Sequence, residues 1–158
     1  MFGLDEKKGL FLIVVLSLAL HGFFLTDSAN RVDEREVFIW GQNAERSFVE
    51  PYPPGFNFLV KAIFSFTNSV FWTRAALLLF SSFSIVFLFL VGKEWFAPKI
   101  AFWASAFLAF SPAFSIYATH LRAYGMLIAL FLVTTFFLLK LLSEKPLRRH
   151  AAGLAIFY

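Results

Sequence analysis

Long apolar runs alternate with short charged clusters along this chain. The apolar runs cover residues 9–25, 70–91, 100–116 and 123–142, and a further run starts at 151 and continues to 158. The four complete runs approach the roughly 20 residues that a helix needs to cross a bilayer. Because lipid offers the backbone no hydrogen-bond partners, such runs must be helical. The pattern predicts an all-α, polytopic bundle of transmembrane helices.

The one long polar segment, 26–69, separates the first two predicted spans. Within it, residues 34–48 carry apolar side chains at helical spacing together with Trp40, which is typical of a helix lying on the membrane surface. Prolines follow it. Residues 56–66 are too short to span and include Lys61, so they predict a second interfacial helix or a re-entrant turn.

The third predicted span contains the pair Ser111-Pro112 near its end. Proline removes a backbone donor and disfavours the helical conformation of the residue before it. We therefore expect this helix to end or kink at Pro112.

Composition supports the membrane assignment. Of the 158 residues, 59% are hydrophobic, 24 are Phe and only 15% are charged, whereas a soluble domain carries about a quarter charged residues. The net charge of +4 is not gathered into a basic patch, so nucleic acid is not an expected partner. Zero cysteines exclude disulfides and thiolate metal sites.

Lys and Arg predict an orientation. With the N-terminus in the cytoplasm, eight basic residues fall in short cytoplasmic segments and six fall outside with most of the acids, as the positive-inside rule favours. The segment 26–69 and the polar group 119–122 then share the extracytoplasmic side. A signal peptide is the competing interpretation of the first run, but no A-x-A cleavage site follows it, which favours a retained helix.

The acidic pair Asp33 and Glu34 lies a few residues beyond the first predicted span. One of these carboxylates could serve as a general base, since low dielectric near the bilayer raises a carboxyl pKa toward a useful range. The competing interpretation is that the two acids simply open the next helix and complement its dipole.

Basic and aromatic residues near the predicted outer helix ends are candidates for binding a phosphate. Arg122 lies at the start of the fourth span with His120 and Tyr124, and an Arg there can hold a phosphate through two hydrogen bonds. Anchoring at the membrane interface is the competing role. Arg74 and Lys61 carry the same ambiguity.

In order, these elements form a recognisable series. The acidic pair lies in VDEREVFIWGQN, and YPPGFNFL, FWTRAALLLFSS, a G-K-E-W-F turn and a Ser-Pro follow before the R-x-Y motif in ATHLRAYGMLIAL. From about residue 9 to 158 the chain resembles the N-terminal part of GT-C glycosyltransferases of the protein O-mannosyltransferase and aminoarabinose transferase type.

The resemblance implies an inverting membrane enzyme that transfers a sugar from a polyprenyl-phosphate donor to a protein or glycolipid acceptor on the extracytoplasmic side. It implies that Asp33 is the catalytic base, with Glu34 beside it. The residues implied to handle the lipid phosphate are Arg122, His120, Tyr124, Arg74 and Lys61. No metal ligands are implied, although a divalent metal could assist an Arg in stabilising the phosphate.

Relatives of this type have more spans, so the resemblance also implies that further helices follow the run at 151–158. The rival class is a non-enzymatic membrane protein, such as part of a transporter or a structural bundle subunit. A transporter is expected to have buried charges near mid-span, broken helices and internal repeats. In this sequence the charges lie at span ends and in one loop, with only His21 deep in a span.

Overall fold

The structure is a computed structural model that describes residues 3–23, 25, 34, 35, 37, 39 and 53–142. The helices of these ranges are α1 (Gly3–Gly22), α2 (Pro54–Phe64), α3 (Val70–Trp95), α4 (Pro98–Ala109), α5 (Pro112–Thr119) and α6 (Tyr124–Leu142).

Helix α3 is the centre of the bundle, because α1, α2, α4, α5 and α6 all pack against it. Helices α3 and α6 are each long and apolar enough to cross a membrane. The pair α4 and α5 would form a third crossing, although the two helices are bent by 60° at the break between them. The prediction of an all-α chain is confirmed over the described residues, and two or three of their helical segments are long and apolar enough to cross a membrane.

The break between α4 and α5 falls at the predicted place. Pro112 is the first residue of α5, and Ser111 before it is extended, with ψ of 130°. The Ser111 hydroxyl caps the new helix by accepting a hydrogen bond from the Phe114 amide at 3.4 Å. Proline therefore ends one helix and starts the next, as its fixed φ and missing N–H lead one to expect.

Helix ends extend beyond the apolar runs that predicted them. Helix α1 starts at Gly3 and not at residue 9, and its first two turns carry Asp5, Glu6, Lys7 and Lys8. Helix α3 continues past residue 91 to Trp95. Glu and Lys are good helix formers outside the bilayer, so hydrophobicity marks only the part of a helix that lipid can cover. The crossing predicted at 9–25 remains a prediction.

Two ion pairs join helices at one end of the bundle, which we call the Lys93 end. Lys93 Nζ lies 3.3 Å from Glu6 Oε2 of α1, and Lys140 Nζ of α6 lies 2.5 Å from Glu94 Oε1. Arg74 marks the opposite end of α3, which we call the Arg74 end. At 1.5 Å per residue, Arg74 and Lys93 are about 28 Å apart, close to the roughly 30 Å hydrocarbon core.

Helix α2 is an apolar helix of 11 residues, too short to span, as predicted for 56–66. The predicted surface helix at 34–48 is helical at residues 34, 35, 37 and 39. The rest of that segment, Asp33, and the predicted fifth run at 151–158 lie outside the described residues.

Candidate functional site

Glu34 joins two distant parts of the chain at the Arg74 end. Its Oε2 accepts a hydrogen bond from Arg74 Nη2 at 2.8 Å, and its Oε1 accepts one from the Leu121 amide at 3.0 Å. Arg74 is the fifth residue of α3, whereas Leu121 lies between α5 and α6. One carboxylate thus connects the segment before α2 to two helix ends of the bundle.

The connection at 120–123 explains why a backbone amide is available to Glu34. The chain leaves α5 at Thr119 and enters α6 at Tyr124, so the four residues between them lie outside both helices. The His120 amide bonds back to Ile116, and the Arg122 amide bonds to the His120 carbonyl at 2.8 Å. The Leu121 amide is buried between them, and Glu34 supplies the acceptor that a buried N–H requires.

The Glu34–Arg74 pair is shielded from solvent. The side chains are 2% and 7% exposed, respectively. Val37 and Leu77 follow the two charged residues by three positions, on the same side of their helices, and both belong to one apolar cluster. The other buried members of that cluster are Phe56, Val60, Phe64, Leu121, Ala123 and Met126.

Burial determines what this ion pair can do. Removing a carboxylate and a guanidinium from water is costly unless each finds its partner and further hydrogen bonds. Glu34 has both oxygens engaged and is enclosed, so it is suited to hold the chain in place. It is poorly suited to take a proton from an external acceptor.

Arg122 follows Leu121, whose amide bonds to Glu34, and it contacts Tyr124, which in turn contacts Tyr117. The Arg122 guanidinium carbon lies 6.0 Å from the Tyr124 ring centre, within reach of a cation–π contact. The Tyr117 and Tyr124 rings meet edge to face, with centres 5.4 Å apart. Both tyrosines are close to half exposed.

Two open cavities flank the connection 120–123. One, of about 420 Å³, is lined by Tyr117, Tyr124, Leu127 and Ile128. The other, of about 340 Å³, is lined by Pro112, Ser115, Ile116, Thr119 and His120. His120 and Tyr124 therefore border different cavities.

Most of the predicted site residues meet at the Arg74 end. The structure joins Glu34 to Arg74 and to the connection that carries His120 and Arg122. Lys61 lies on α2 beside Val60, which belongs to the same apolar cluster as Leu121. Arg74 has the Glu34 carboxylate as a partner, and its predicted role toward a phosphate stays a prediction. So do the roles predicted for the other residues.

A buried polar contact that the sequence did not predict supports the helix break. Ser17 Oγ of α1 lies 3.2 Å from the Ala109 carbonyl at the end of α4, and 3.0 Å from His21 Nδ1. Ser17 and His21 are 1% and 0% exposed. Since a hydroxyl has one proton, Ser17 donates it to Ala109 and accepts from His21. The spacing of Ser17 and His21, four apart on one helix, was the available signal.

Metal ligation has no candidate cluster in the described ranges: no three His, Asp or Glu side chains come together there.

Comparison with known proteins adds no relative. No protein-family model, curated protein or solved structure matches the chain.

Proposed function

We propose that this chain acts as a membrane glycosyltransferase that moves a sugar from a polyprenyl-phosphate donor to an acceptor hydroxyl or amine. The transfer inverts the anomeric centre and takes place at the Arg74 end of the bundle, on the extracytoplasmic side. The acceptor is a protein or a glycolipid. The proposal rests on the resemblance of the ordered motifs, together with the geometry around Glu34.

The observation that carries the proposal is the double contact of Glu34. Glu34 of the acidic pair is 40 residues away from Arg74 of α3 in the sequence. It is 87 residues away from Leu121, which directly precedes the R-x-Y motif. A sugar transferase of this type needs those three elements at one site. If the acids were only the start of a helix, no contact with either element would be required.

The acidic pair divides the work in this proposal. Glu34 is the positioning residue, held by Arg74 and the Leu121 amide. Asp33 is the base, and it precedes Glu34 by one residue in the sequence. Fixing Glu34 therefore restricts where Asp33 can be, which matters because catalysis by a base depends on its position.

The reaction itself is a displacement at the anomeric carbon. Asp33 takes the proton of the acceptor group as its oxygen or nitrogen bonds to the sugar. The bond from sugar to phosphate oxygen breaks, and the polyprenyl phosphate leaves with the electron pair. Arg122 and Lys61 stabilise the departing charge, as fixed cations do in water-poor sites.

The donor class can be tested with the purified full chain in lipid nanodiscs. The expected result is release of polyprenyl phosphate from a radiolabelled polyprenyl-phosphate sugar when acceptor extracts are added. A nucleotide sugar with the same label is the control and should not be used. Consumption of the nucleotide sugar, or of neither donor under conditions where the protein is folded, would contradict the proposal.

A second candidate, a transport function, is favoured by one observation. Helices α4 and α5 form a broken span, and the buried Ser17 and His21 lie against the break. Broken helices lined by polar groups are common at transporter substrate sites. Flux of a solute across vesicles containing the protein, without turnover of a lipid-linked sugar, would favour this candidate.

A further inference from the structure

A cavity of about 240 Å³ lies between α1 and α4 at the Lys93 end of the bundle. Nothing in the proposed sugar transfer uses it. Its α1 wall is made of Asp5, Glu6 and Gly9, and its α4 wall includes Lys99, Phe102 and Trp103.

The floor of this cavity is apolar and tightly fitted. Gly9 has no side chain, and the Phe102 ring lies directly against it: a Cβ added to Gly9 would lie 2.9 Å from Phe102 Cε2. Trp103 stands beside Phe102, with ring centres 5.8 Å apart and planes at 80°. Because Gly9 has no side chain, the Phe102 ring packs directly against α1 and forms the floor of the cavity. The floor is therefore lined by carbon atoms.

The rim carries both signs of charge. Glu6 is bound to Lys93 of α3 at 3.3 Å. Asp5 and Lys99 are exposed, and neither has an ion-pair partner among the described residues. A free carboxylate on α1 and a free ammonium on α4 therefore border one cavity.

A second groove continues from the cavity along α4. Lys99 and Trp103 border both, and the groove, of about 430 Å³, adds Ile100, Ala104 and Phe107. These last three residues and Trp103 follow the i, i+3, i+4, i+7 spacing of a single helix face. The groove runs toward the middle of the bundle for about 10 Å, and Phe107 in it is 77% exposed.

We propose that this cavity binds a phospholipid with a primary ammonium in its headgroup, as phosphatidylethanolamine has. The ammonium bonds to the Asp5 carboxylate, the phosphate bonds to Lys99, and one acyl chain lies along Trp103 and Phe107. The lining residues are arranged as such a ligand requires. The charged groups lie at the helix ends, and the apolar groups follow them toward the middle of the bundle. The proposal does not depend on the sugar transfer.

The two charged residues at the rim, Asp5 and Lys99, favour this headgroup over those of other common phospholipids. Phosphatidylglycerol offers a phosphate to Lys99 but no cation to Asp5, which would repel it. Phosphatidylcholine carries a cation with no N–H to donate, so it forms no hydrogen bond with the carboxylate. Only a headgroup with a primary ammonium satisfies both charges and donates a hydrogen bond to Asp5.

Trp103 gives a direct assay, because it lies in the cavity. The chain has four Trp, and replacing Trp40, Trp72 and Trp95 by Phe leaves Trp103 as the reporter. The full chain is placed in vesicles that contain, at equal mole fraction, brominated phosphatidylethanolamine, phosphatidylcholine or phosphatidylglycerol. Quenching of Trp103 should show a relative affinity about five-fold higher for phosphatidylethanolamine, the size expected of one exposed ion pair.

Variants of the rim test the assignment further. Asp5→Asn should bring the three lipids to equal quenching, whereas Asp5→Glu should keep the preference. Lys99→Gln should weaken quenching by all three lipids and keep their order, because each of them carries the phosphate that Lys99 binds. Lys7→Gln is the matched control, because Lys7 is an exposed lysine of α1 that does not line the cavity. Equal quenching by the three lipids in the parent protein, or a preference for phosphatidylglycerol, overturns the proposal. Loss of preference in Lys7→Gln would also overturn it, since general surface charge would then explain the effect.

Discussion

At the scale of single residues, Glu34 is the side chain that joins the most distant parts of the described chain at the Arg74 end. A carboxylate that is 2% exposed and bonded through both oxygens would be a liability in a bundle without its partners. The chain supplies two partners from elements far away in sequence. Buried polar groups of this kind specify one arrangement of the helices more sharply than apolar contacts do.

The first prediction concerns the stability of this ion pair. Glu34→Gln should lower the free energy of unfolding by about 3–5 kcal/mol, because it removes the buried carboxylate that pairs with the Arg74 guanidinium. The measurement is denaturant unfolding in mild detergent, followed by circular dichroism.

Glu94→Gln is the matched control for that variant. Its ion pair with Lys140 is about one-third exposed on both sides, so its loss should cost no more than about 1 kcal/mol. The double variant Glu34→Gln/Arg74→Met should be more stable than Glu34→Gln alone, since an apolar side chain then replaces the buried guanidinium. Equal effects of Glu34→Gln and Glu94→Gln would contradict the structure around Arg74.

At the scale of elements, small residues set the spacing of the helices. A Cβ on Gly125 of α6 would collide with the Ser81 hydroxyl of α3 and come within 3.0 Å of Ser81 Cβ. A Cβ on Gly92 would lie 2.9 Å from Ala101 Cβ of α4. Close approach at small residues is how membrane helices gain packing contacts when lipid removes the hydrophobic drive.

The second prediction follows from the contact between α3 and α6. Gly125→Val should lower stability by about 1–3 kcal/mol, because the added atoms force the two helices apart. Thermal unfolding in detergent measures this change. Gly55→Ala in α2 is the control, since nothing lies within 4 Å of a Cβ added there. A Gly125→Val protein that unfolds with the wild type would show that α6 does not pack on α3 in this way.

The sequence predicted the positions of the helices better than it predicted the contacts between them. Apolar runs located α3 and α6, and Pro112 located the break, because a missing N–H and a fixed φ act locally. The link from Glu34 to Arg74 and Leu121 was out of reach of local patterns: one partner is 40 residues away and the other is a backbone amide. The residue types in a sequence do not show which backbone amide between two helices needs an acceptor from another part of the chain.

At the scale of the whole molecule, the charges sort to two ends. Glu6, Lys93 and Lys140 meet at one end, whereas Glu34 and Arg74 meet at the other. Between Arg74 and Lys93, helix α3 carries no charged residue. This arrangement matches a bilayer slab with charged groups on both of its surfaces.

The third prediction concerns orientation. Because the sequence has no cysteine, single cysteines can be introduced at Lys7 on α1 and at Phe66 after α2. Both positions are exposed, and Phe66 is 90% exposed. In intact cells a membrane-impermeant maleimide should label Phe66→Cys and spare Lys7→Cys, as the positive-inside rule predicts. The opposite labelling would place the Arg74 end in the cytoplasm and remove the setting for the proposed transfer.

The proposed function makes Asp33 the base of a sugar transfer from a polyprenyl phosphate. The decisive measurement is the transfer rate of the full-length Asp33→Asn protein in nanodiscs, beside Asp27→Asn, which alters another acid of the same loop. We expect a loss of about 10²–10⁴-fold for Asp33→Asn, the size of a general-base contribution. We expect a near-normal rate for Asp27→Asn and normal membrane insertion for both. A rate for Asp33→Asn equal to that of the wild type would show that Asp33 is not the base.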